Sequence, residues 1–181
     1  HKFGGPKGGG FLYANKELTL TPLLYGGAQE AGRRAGTENV AGIIGMGTAS
    51  DISTAHQKEH TLLQQTLRDH LMNRILSEIP MTRLNGSRQE RLPGNINVSF
   101  AGIDSATLIA MLEAKDIYVS GGSACSSSDP SPSHVLKAIG LSDEMALSAV
   151  RITIGHENTP EEIEETFRQI KDCVHELRSL A

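Results

Sequence analysis

The chain has 181 residues and a formal net charge of −4 at pH 7, with no basic tract, so nucleic acid is not an expected partner. Its residues are 38% hydrophobic and 4% aromatic, and its two cysteines are too few for a disulfide framework or a cysteine-rich zinc site. The low aromatic content predicts an aliphatic core. No apolar run approaches the ~18 residues of a membrane span and no signal peptide is recognisable, so we expect a cytoplasmic protein.

The first half of the chain combines glycine-containing loops with one long helical stretch. Residues 10–14 have the pattern of a short strand, and residues 22–36 that of a loop. Thr37 is predicted to cap a helix, because its hydroxyl can accept from the free N–H groups of a first turn. Helical spacing continues to Ile79, and Pro80 is expected to end the helix because proline lacks a backbone donor. The apolar stripe of this helix consists of Leu62, Leu63, Leu67, Leu71, Ile75 and Ile79.

Strand and helix patterns alternate in the second half, which predicts a compact α+β module. Polar and apolar residues alternate over residues 95–100, which predicts a strand there, and further strands are predicted at residues 117–120 and 149–154. Asp104 can cap a helix that runs to about Lys115, and residues 133–139 have the pattern of a short helix. The last helix is predicted to begin at residues 159–162, which combine a capping threonine, a proline and an acidic residue, and to run to about Ser179.

Cys125 is the most distinctive candidate for chemistry. It lies among small residues in a predicted mobile loop of about residues 119–133. Because the thiolate is the reactive form of cysteine, a mobile and exposed cysteine is a candidate nucleophile. The loop alone leaves a second interpretation open, a small buried residue, because free cysteine is among the most buried residue types. Cys173, between charged residues of the last helix, is interpreted as structural.

Two cationic segments near the start of the chain are candidate binding sites. Lys2 precedes a Gly-Pro-Lys-Gly turn, and a lysine amine forms Schiff bases with carbonyl cofactors such as pyridoxal phosphate. A solvated surface lysine explains the same pattern, as Lys7 in that turn illustrates. Arg33, Arg34 and Thr37 have the chemistry of an anion site, but their spacing alone favours a charged loop before a capped helix.

Arg151 stands out because it interrupts an apolar strand pattern. A buried arginine needs a partner, and a substrate carboxylate would suit its guanidinium. A structural salt bridge or an edge-strand position is the alternative that the pattern itself favours. His56 and His60 lie four residues apart on the long helix, but no third ligand accompanies them, so no metal site is predicted.

A series of sequence blocks follows in order over nearly the whole chain. The blocks are His-Lys and Gly-Pro-Lys-Gly within 1–8, Gly-Gly-x-Gln-Glu at 26–30, Arg-x-Gly-Thr-Glu-Asn-Val at 34–40, Asn-Ile-Asn-Val-Ser-Phe at 95–100, Gly-Ser-Ala-Cys-Ser at 122–126, Ser-His-Val-Leu-Lys-Ala-Ile-Gly at 133–140 and Val-Arg-Ile-Thr-Ile-Gly at 150–155. Jointly they resemble the NifS/IscS-type cysteine desulfurases, which are class V, fold-type I enzymes dependent on pyridoxal phosphate.

The resemblance implies a role for each matching residue. Lys2 resembles the lysine that forms the Schiff base with pyridoxal phosphate. His1 resembles the neighbour that contacts the cofactor phosphate, and Thr37 the hydroxyl that reaches the phosphate in the other subunit of a homodimer. Arg151 resembles the arginine that binds the substrate carboxylate. Cys125 resembles the thiol that takes sulfur from L-cysteine as a persulfide, leaving L-alanine, and passes it to an acceptor or an iron–sulfur scaffold protein.

The resemblance also implies the architecture. We expect an α/β protein of PLP-transferase fold type I, with residues 1–57 ending the large cofactor domain and residues 58–181 forming the complete small α+β domain. The family's N-terminal half, which carries further cofactor contacts, has no counterpart in this chain. Because the chain starts at His1, inside a motif and without methionine, we expect it to be split, processed or truncated, and incomplete alone.

Two other functions fit the same residues. One is a selenocysteine or cystine lyase of the same group, although the Ser-Ala-Cys-Ser block at 123–126 favours the desulfurase. The other is a non-catalytic fragment that binds no cofactor and only docks a sulfur-acceptor protein.

Overall fold

The computed structural model describes residues 2–121 and 131–180, so His1, Cys125 and Ala181 lie outside the described residues. The chain divides into two compact units, His1–Lys58 and Glu59–Ala181. The assignment of residues 1–57 and 58–181 to a large and a small domain stays a prediction.

The first unit consists of loops, a short 3-10 helix and the beginning of a long α-helix. The 3-10 helix covers Gln29–Gly32, within the predicted loop, and helix α1 covers Val40–Glu78. The strand predicted at residues 10–14 is wrong, and Tyr13 within it is 87% exposed. A strand needs a neighbour for its backbone hydrogen bonds, and the described residues of this unit contain no other strand.

Helix α1 starts and ends close to the predicted positions. Its first turn is capped by Asn39, whose Oδ1 accepts from the Gly42 N–H at 3.1 Å, and not by Thr37 as predicted. The helix then continues without interruption and ends at Glu78, two residues before Pro80. The start and the stop therefore follow the expected chemistry, with the cap displaced by two residues.

The second unit is a three-stranded antiparallel sheet packed with helices. Its strands are β1 (Thr82–Leu84), β2 (Asn95–Phe100) and β3 (Ala149–Thr153), with β2 in the centre. Its shorter helices are α2 (Ser105–Glu113), α3 (His134–Ala138) and α4 (Asp143–Leu147), and α5 (Pro160–Ser179) is the last helix. None of the helices in the described ranges is long and apolar enough to cross a membrane.

Most of the predictions for this unit are confirmed. Strands β2 and β3 lie within one residue of their predicted bounds. Asp104 caps α2, and Thr159 and Glu162 form a reciprocal capping box on α5. The strand predicted at residues 117–120 is wrong, because only Ser120 forms a β-bridge there, opposite Arg151.

The hydrophobic core belongs to the second unit. It fills the space between one face of the sheet and helices α1, α2 and α5. On β2, Ile96, Val98 and Phe100 are fully buried, as the alternation predicts. The stripe on α1 is buried from Leu67 onwards and Leu63 packs against the core at its edge, whereas Leu62 is 67% exposed and does not belong to the stripe.

Gly94 is expected to be indispensable for the start of β2. A Cβ at this position would lie 2.1 Å from the carbonyl oxygen of Ile154, and the Ile154 N–H donates to the Gly94 carbonyl at 2.8 Å. Because both groups are backbone, the contact cannot be relieved by a rotamer change, so Gly94→Ala should destabilise the chain by about 3 kcal/mol. Urea unfolding measures this loss. The matched control is Gly155→Ala, whose Cβ would be 3.7 Å from its nearest neighbour and should cost less than about 0.5 kcal/mol. Equal losses in both variants would refute the argument.

An ionic network joins α1 to α5 at the surface of the second unit. Glu78 accepts from Arg74 at 2.7 Å and from Lys171 at 2.9 Å, and Glu164 accepts from His70 and Arg74. The Arg74 guanidinium also lies 3.9 Å from the centre of the Phe167 ring. These hydrogen bonds, that from Arg74 first, lower the pKa of Glu78 from 4.5 to about 2.

The network should make folding stability depend on pH. Because the folded pKa of Glu78 is lowered, its stabilising effect is fully present above pH 4.5 and is lost as the pH falls towards 2. We expect the midpoint of urea unfolding to fall as the pH is lowered through this window. In Glu78→Gln, the change of the midpoint with pH should be smaller. Glu113→Gln, which removes an exposed carboxylate without an ion pair among the described residues, is the control and should leave the slope unchanged. An identical slope in wild type and Glu78→Gln would contradict the role of this network.

Candidate active site

Lys2 lies in an exposed turn at the start of the first unit. Its side chain has no hydrogen bond or ion pair with any of the described residues, and the same is true of Lys7 in the next turn. The amine of Lys2 is therefore available for covalent chemistry, but geometry does not distinguish it from its neighbour. What distinguishes Lys2 is the sequence block around it.

Thr37 lines a shallow cleft of about 190 Å³ within the first unit. Arg34, Gly36 and Asn39 line the same cleft, together with the glycines at 8–10. Lys2 is not among its lining residues. The structure thus places Thr37 and Arg34 of the candidate anion segment in one cleft, for which the sequence had favoured a charged loop before a capped helix.

The cleft combines groups that can donate to a phosphate with two carboxylates, those of Glu30 and Glu38. A guanidinium, a hydroxyl and glycine backbone can all donate to phosphate oxygens. Gly36 has φ +99°, a conformation that favours glycine, and its N–H donates to Gln29 Oε1 at 3.3 Å. The volume is below the ~300 Å³ from which ligand pockets usually start, so the cleft is too small for a whole ring cofactor.

Arg151 lies in the middle of β3, on the face of the sheet opposite the main core. It is half-buried, and its guanidinium has no hydrogen bond or ion pair with any of the described residues. Of the two alternatives that the sequence pattern favoured, the structural salt bridge is not found among residues 2–121 and 131–180. The other, an edge-strand position, is confirmed, because β3 lies at the edge of the three-stranded sheet. An arginine in this position has its full set of donors ready for an anionic ligand.

The backbone of Arg151 is tied to the segment that leads to Cys125. Ser120 and Arg151 exchange two backbone hydrogen bonds, of 2.6 and 3.1 Å. Ser120 stands five positions before Cys125 in the sequence, and Cys125 itself lies outside the described residues. After that segment the chain returns to α3 and α4, which bury a small apolar cluster beside β3.

Within the part of the chain that the structure describes, Cys173 and His60 lie in structural contacts. Cys173 is 1% exposed within the core, and burial raises the pKa of its thiol, as suits a structural cysteine. The ring of His60 stacks on that of His156, with their centres 4.1 Å apart. Among the described residues, no group of three or more histidine, cysteine, aspartate or glutamate side chains is placed to hold a metal ion.

Sequence reasoning missed a polar row beside Arg151. Asn97 lies directly opposite Arg151 in the β2–β3 register, and Asn85 donates to Asn97 Oδ1 at 2.7 Å. The alternation at 95–100 marked Asn97 only as a solvent-side strand residue. Its relation to Arg151 depends on strand register, which a single sequence does not specify.

Comparisons with known proteins identify the class to which this fold belongs. Residues 1–166 match the family model described as aminotransferase class-V, and the chain belongs to that family. A solved NifS-like protein confirms the predicted fold, with 33% sequence identity and a TM-score of 0.85. The aligned region covers 97% of this chain and 44% of the NifS-like chain. A NifS-like protein from Rickettsia africae is 29% identical with a TM-score of 0.77, over 87% of this chain and 41% of its own.

Curated relatives narrow the resemblance to one group within the family. A protein from Methanosarcina thermophila named cysteine desulfurase IscS is 45% identical over all 181 residues. One with the same name from Dictyoglomus turgidum is 42% identical over the same length. The resemblance stated from the sequence blocks is therefore confirmed. The chain spans 45% and 46% of the length of these two relatives.

Proposed function

We propose that this chain is the C-terminal portion of a cysteine desulfurase dependent on pyridoxal phosphate. The observation that carries the proposal is the bridge between Ser120 and Arg151. It ties a half-buried arginine without a partner among the described residues to the segment that bears Cys125. A group that binds a carboxylate and a thiol that attacks sulfur are what this reaction requires of the small domain.

The cofactor would be held by residues of the first unit. The amine of Lys2 would bond to its aldehyde carbon, while His1 and the cleft around Thr37 would bind its phosphate. Lys2 does not line the cleft that contains Thr37 in the same chain. The family resemblance supports a homodimer, in which each chain would supply Thr37 to the phosphate beside its partner's lysine.

The chain's own residues then divide the chemistry. Pyridoxal phosphate, when bound, supplies an electron sink that lets the Cβ–S bond of the substrate break. Arg151 would hold the substrate carboxylate, and Lys2 Nζ would take a proton from the substrate Cα. Cys125 Sγ would attack the substrate sulfur. The electron pair of the Cβ–S bond stays with carbon, which takes a proton to become the methyl group of L-alanine.

The sulfur would leave the protein in a second transfer. Attack by Cys125 yields a persulfide on its side chain, and an acceptor thiol can attack the outer sulfur to regenerate the Cys125 thiolate. An acceptor protein or an iron–sulfur scaffold in the cytoplasm is the partner we propose for this step.

The exposed apolar side chains of the first unit support the proposal that the chain is joined to an N-terminal half. None of its described side chains belongs to the buried apolar core, and Leu23 is 95% exposed. Exposed apolar surface of this kind favours burial against further polypeptide. The relatives also possess an N-terminal segment. We use the term completed protein for this chain joined to such a segment.

The direct test is turnover of L-cysteine by the completed protein with pyridoxal phosphate. We expect alanine and sulfide in equal amounts when a thiol reductant is present. Alanine is the decisive product, because sulfide also arises when cysteine undergoes β-elimination to pyruvate and ammonia. Formation of pyruvate in place of alanine would reject the proposed reaction.

The chain alone is expected to be a poor binder of pyridoxal phosphate. Its phosphate cleft does not include Lys2, and it lacks the cofactor contacts that the family's N-terminal half supplies. Titration followed by borohydride reduction and peptide mapping measures the adduct. A stable, stoichiometric adduct on Lys2 of the chain alone would contradict this expectation.

A further inference from the structure

We propose that Asn97 is a second residue that binds the substrate carboxylate, beside Arg151. The proposal rests on the function proposed for Arg151 and adds to it a specific partner, whose amide is oriented by Asn85. The structural basis lies within the second unit, on the face of the sheet that carries Arg151.

Strand register places the two side chains together. Asn97 of β2 and Arg151 of β3 are directly paired in the antiparallel ladder. Side chains at directly opposite positions project from the same face of the sheet, with Cβ atoms about 5 Å apart. Asn97 is half-buried, as Arg151 is.

The hydrogen bonds of Asn97 fix the direction of its amide. Asn85 Nδ2 donates to Asn97 Oδ1 at 2.7 Å and to Ser99 Oγ at 2.8 Å, so both of its protons are used. The Ser99 hydroxyl donates in turn to the Met145 carbonyl at 2.6 Å. Because Asn97 Oδ1 faces Asn85, the Nδ2 amide group of Asn97 points away from Asn85.

That amide group is an unused donor. Asn97 Nδ2 has no hydrogen-bond partner among the described residues, and neither has the guanidinium of Arg151. Two neighbouring groups that only donate cannot satisfy each other, whereas an anion between them satisfies both. A carboxylate has two oxygens and about four acceptor positions, so it can accept from Arg151 and Asn97 at once.

The test is a titration of the chain, labelled with ¹⁵N, with L-alanine. This probe carries the carboxylate of the substrate and has no thiol. The side-chain resonances of Asn97 and Arg151 should shift together with one dissociation constant. Ethylamine, which carries the amine without the carboxylate, should shift neither.

The variants separate Asn97 from its surroundings. Asn97→Ala should weaken binding about tenfold, the effect of one hydrogen bond to a charged group. Asn95→Ala, two residues away on the same face and opposite Thr153, should leave the dissociation constant unchanged. A structural role for Asn97 would lower the unfolding midpoint and leave the dissociation constant of the folded chain unchanged, which would overturn the proposal.

A second pair of variants covers a failure of Asn97→Ala to fold. Asn97→Asp keeps the acceptor that Asn85 needs and removes both donors, while Asn95→Asp adds the same charge nearby. Binding should weaken more in Asn97→Asp than in Asn95→Asp, and equal losses would overturn the proposal. Arg151→Ala distinguishes the function proposed for Arg151 from the role proposed for Asn97. If it leaves binding intact, the function proposed for Arg151 fails; if it abolishes binding while Asn97→Ala does not weaken it, only the role of Asn97 fails.

Discussion

Cys125→Ser is expected to abolish the release of sulfide from L-cysteine by the completed protein. Serine has no sulfur atom with which to form a persulfide, and its hydroxyl is a far weaker nucleophile than a thiolate. Binding of pyridoxal phosphate should be unchanged, since Cys125 has no proposed role in holding the cofactor. Sulfide and alanine measured over the same time course report the loss.

The other cysteine provides the matched control. Cys173→Ala removes a thiol that is buried in the core on α5, and it should reduce stability while sulfide release by the folded protein continues. A selenocysteine or cystine lyase does not need Cys125 as sulfur acceptor. Substantial sulfide release by Cys125→Ser would therefore favour the lyase over the desulfurase.

Lys2→Ala is expected to have an effect of similar size. The proposed roles of Lys2 are to bond to the cofactor and to move the proton at the substrate Cα, and loss of a positioned acid–base group costs about 10²- to 10⁴-fold in rate. Lys7→Ala, an equally exposed lysine five residues away, should retain activity. Borohydride reduction of the wild-type completed protein should place the cofactor adduct on the peptide containing Lys2. An adduct on Lys7, or full activity in Lys2→Ala, would contradict the assignment.

The parts of the fold that were predictable are those with a local chemical signal. Alternation marked β2, and the capping residues of α2 and α5 marked their starts, because these patterns depend on neighbouring residues alone. Strand β1 was missed since three residues, Thr82–Leu84, are too few to show alternation, and pairing with β2 is what makes them a strand. Helix α4 did have a signal, because Ser142 accepts from the Met145 N–H, but its five residues are short for a helical pattern.

The strand prediction at residues 10–14 was wrong because a suitable local pattern has no neighbouring strand to pair with in the described part of the first unit. Their composition suits a strand, yet strand formation depends on a neighbour that the local sequence cannot reveal. In the candidate site, too, one residue has a local sequence signal and the other depends on strand pairing. Arg151 was conspicuous because a charge interrupts an apolar run, while Asn97 matched its strand pattern and became notable only through the β2–β3 register.

The most direct test of the account is a peptide map of the completed, cofactor-loaded protein after turnover of L-cysteine without reductant. Alkylation followed by mass spectrometry locates any retained sulfur. We predict one additional sulfur atom on the peptide that contains Cys125 and none on the peptide that contains Cys173. Formation of alanine and sulfide with no sulfur retained on Cys125, or with the persulfide on Cys173, would contradict the account.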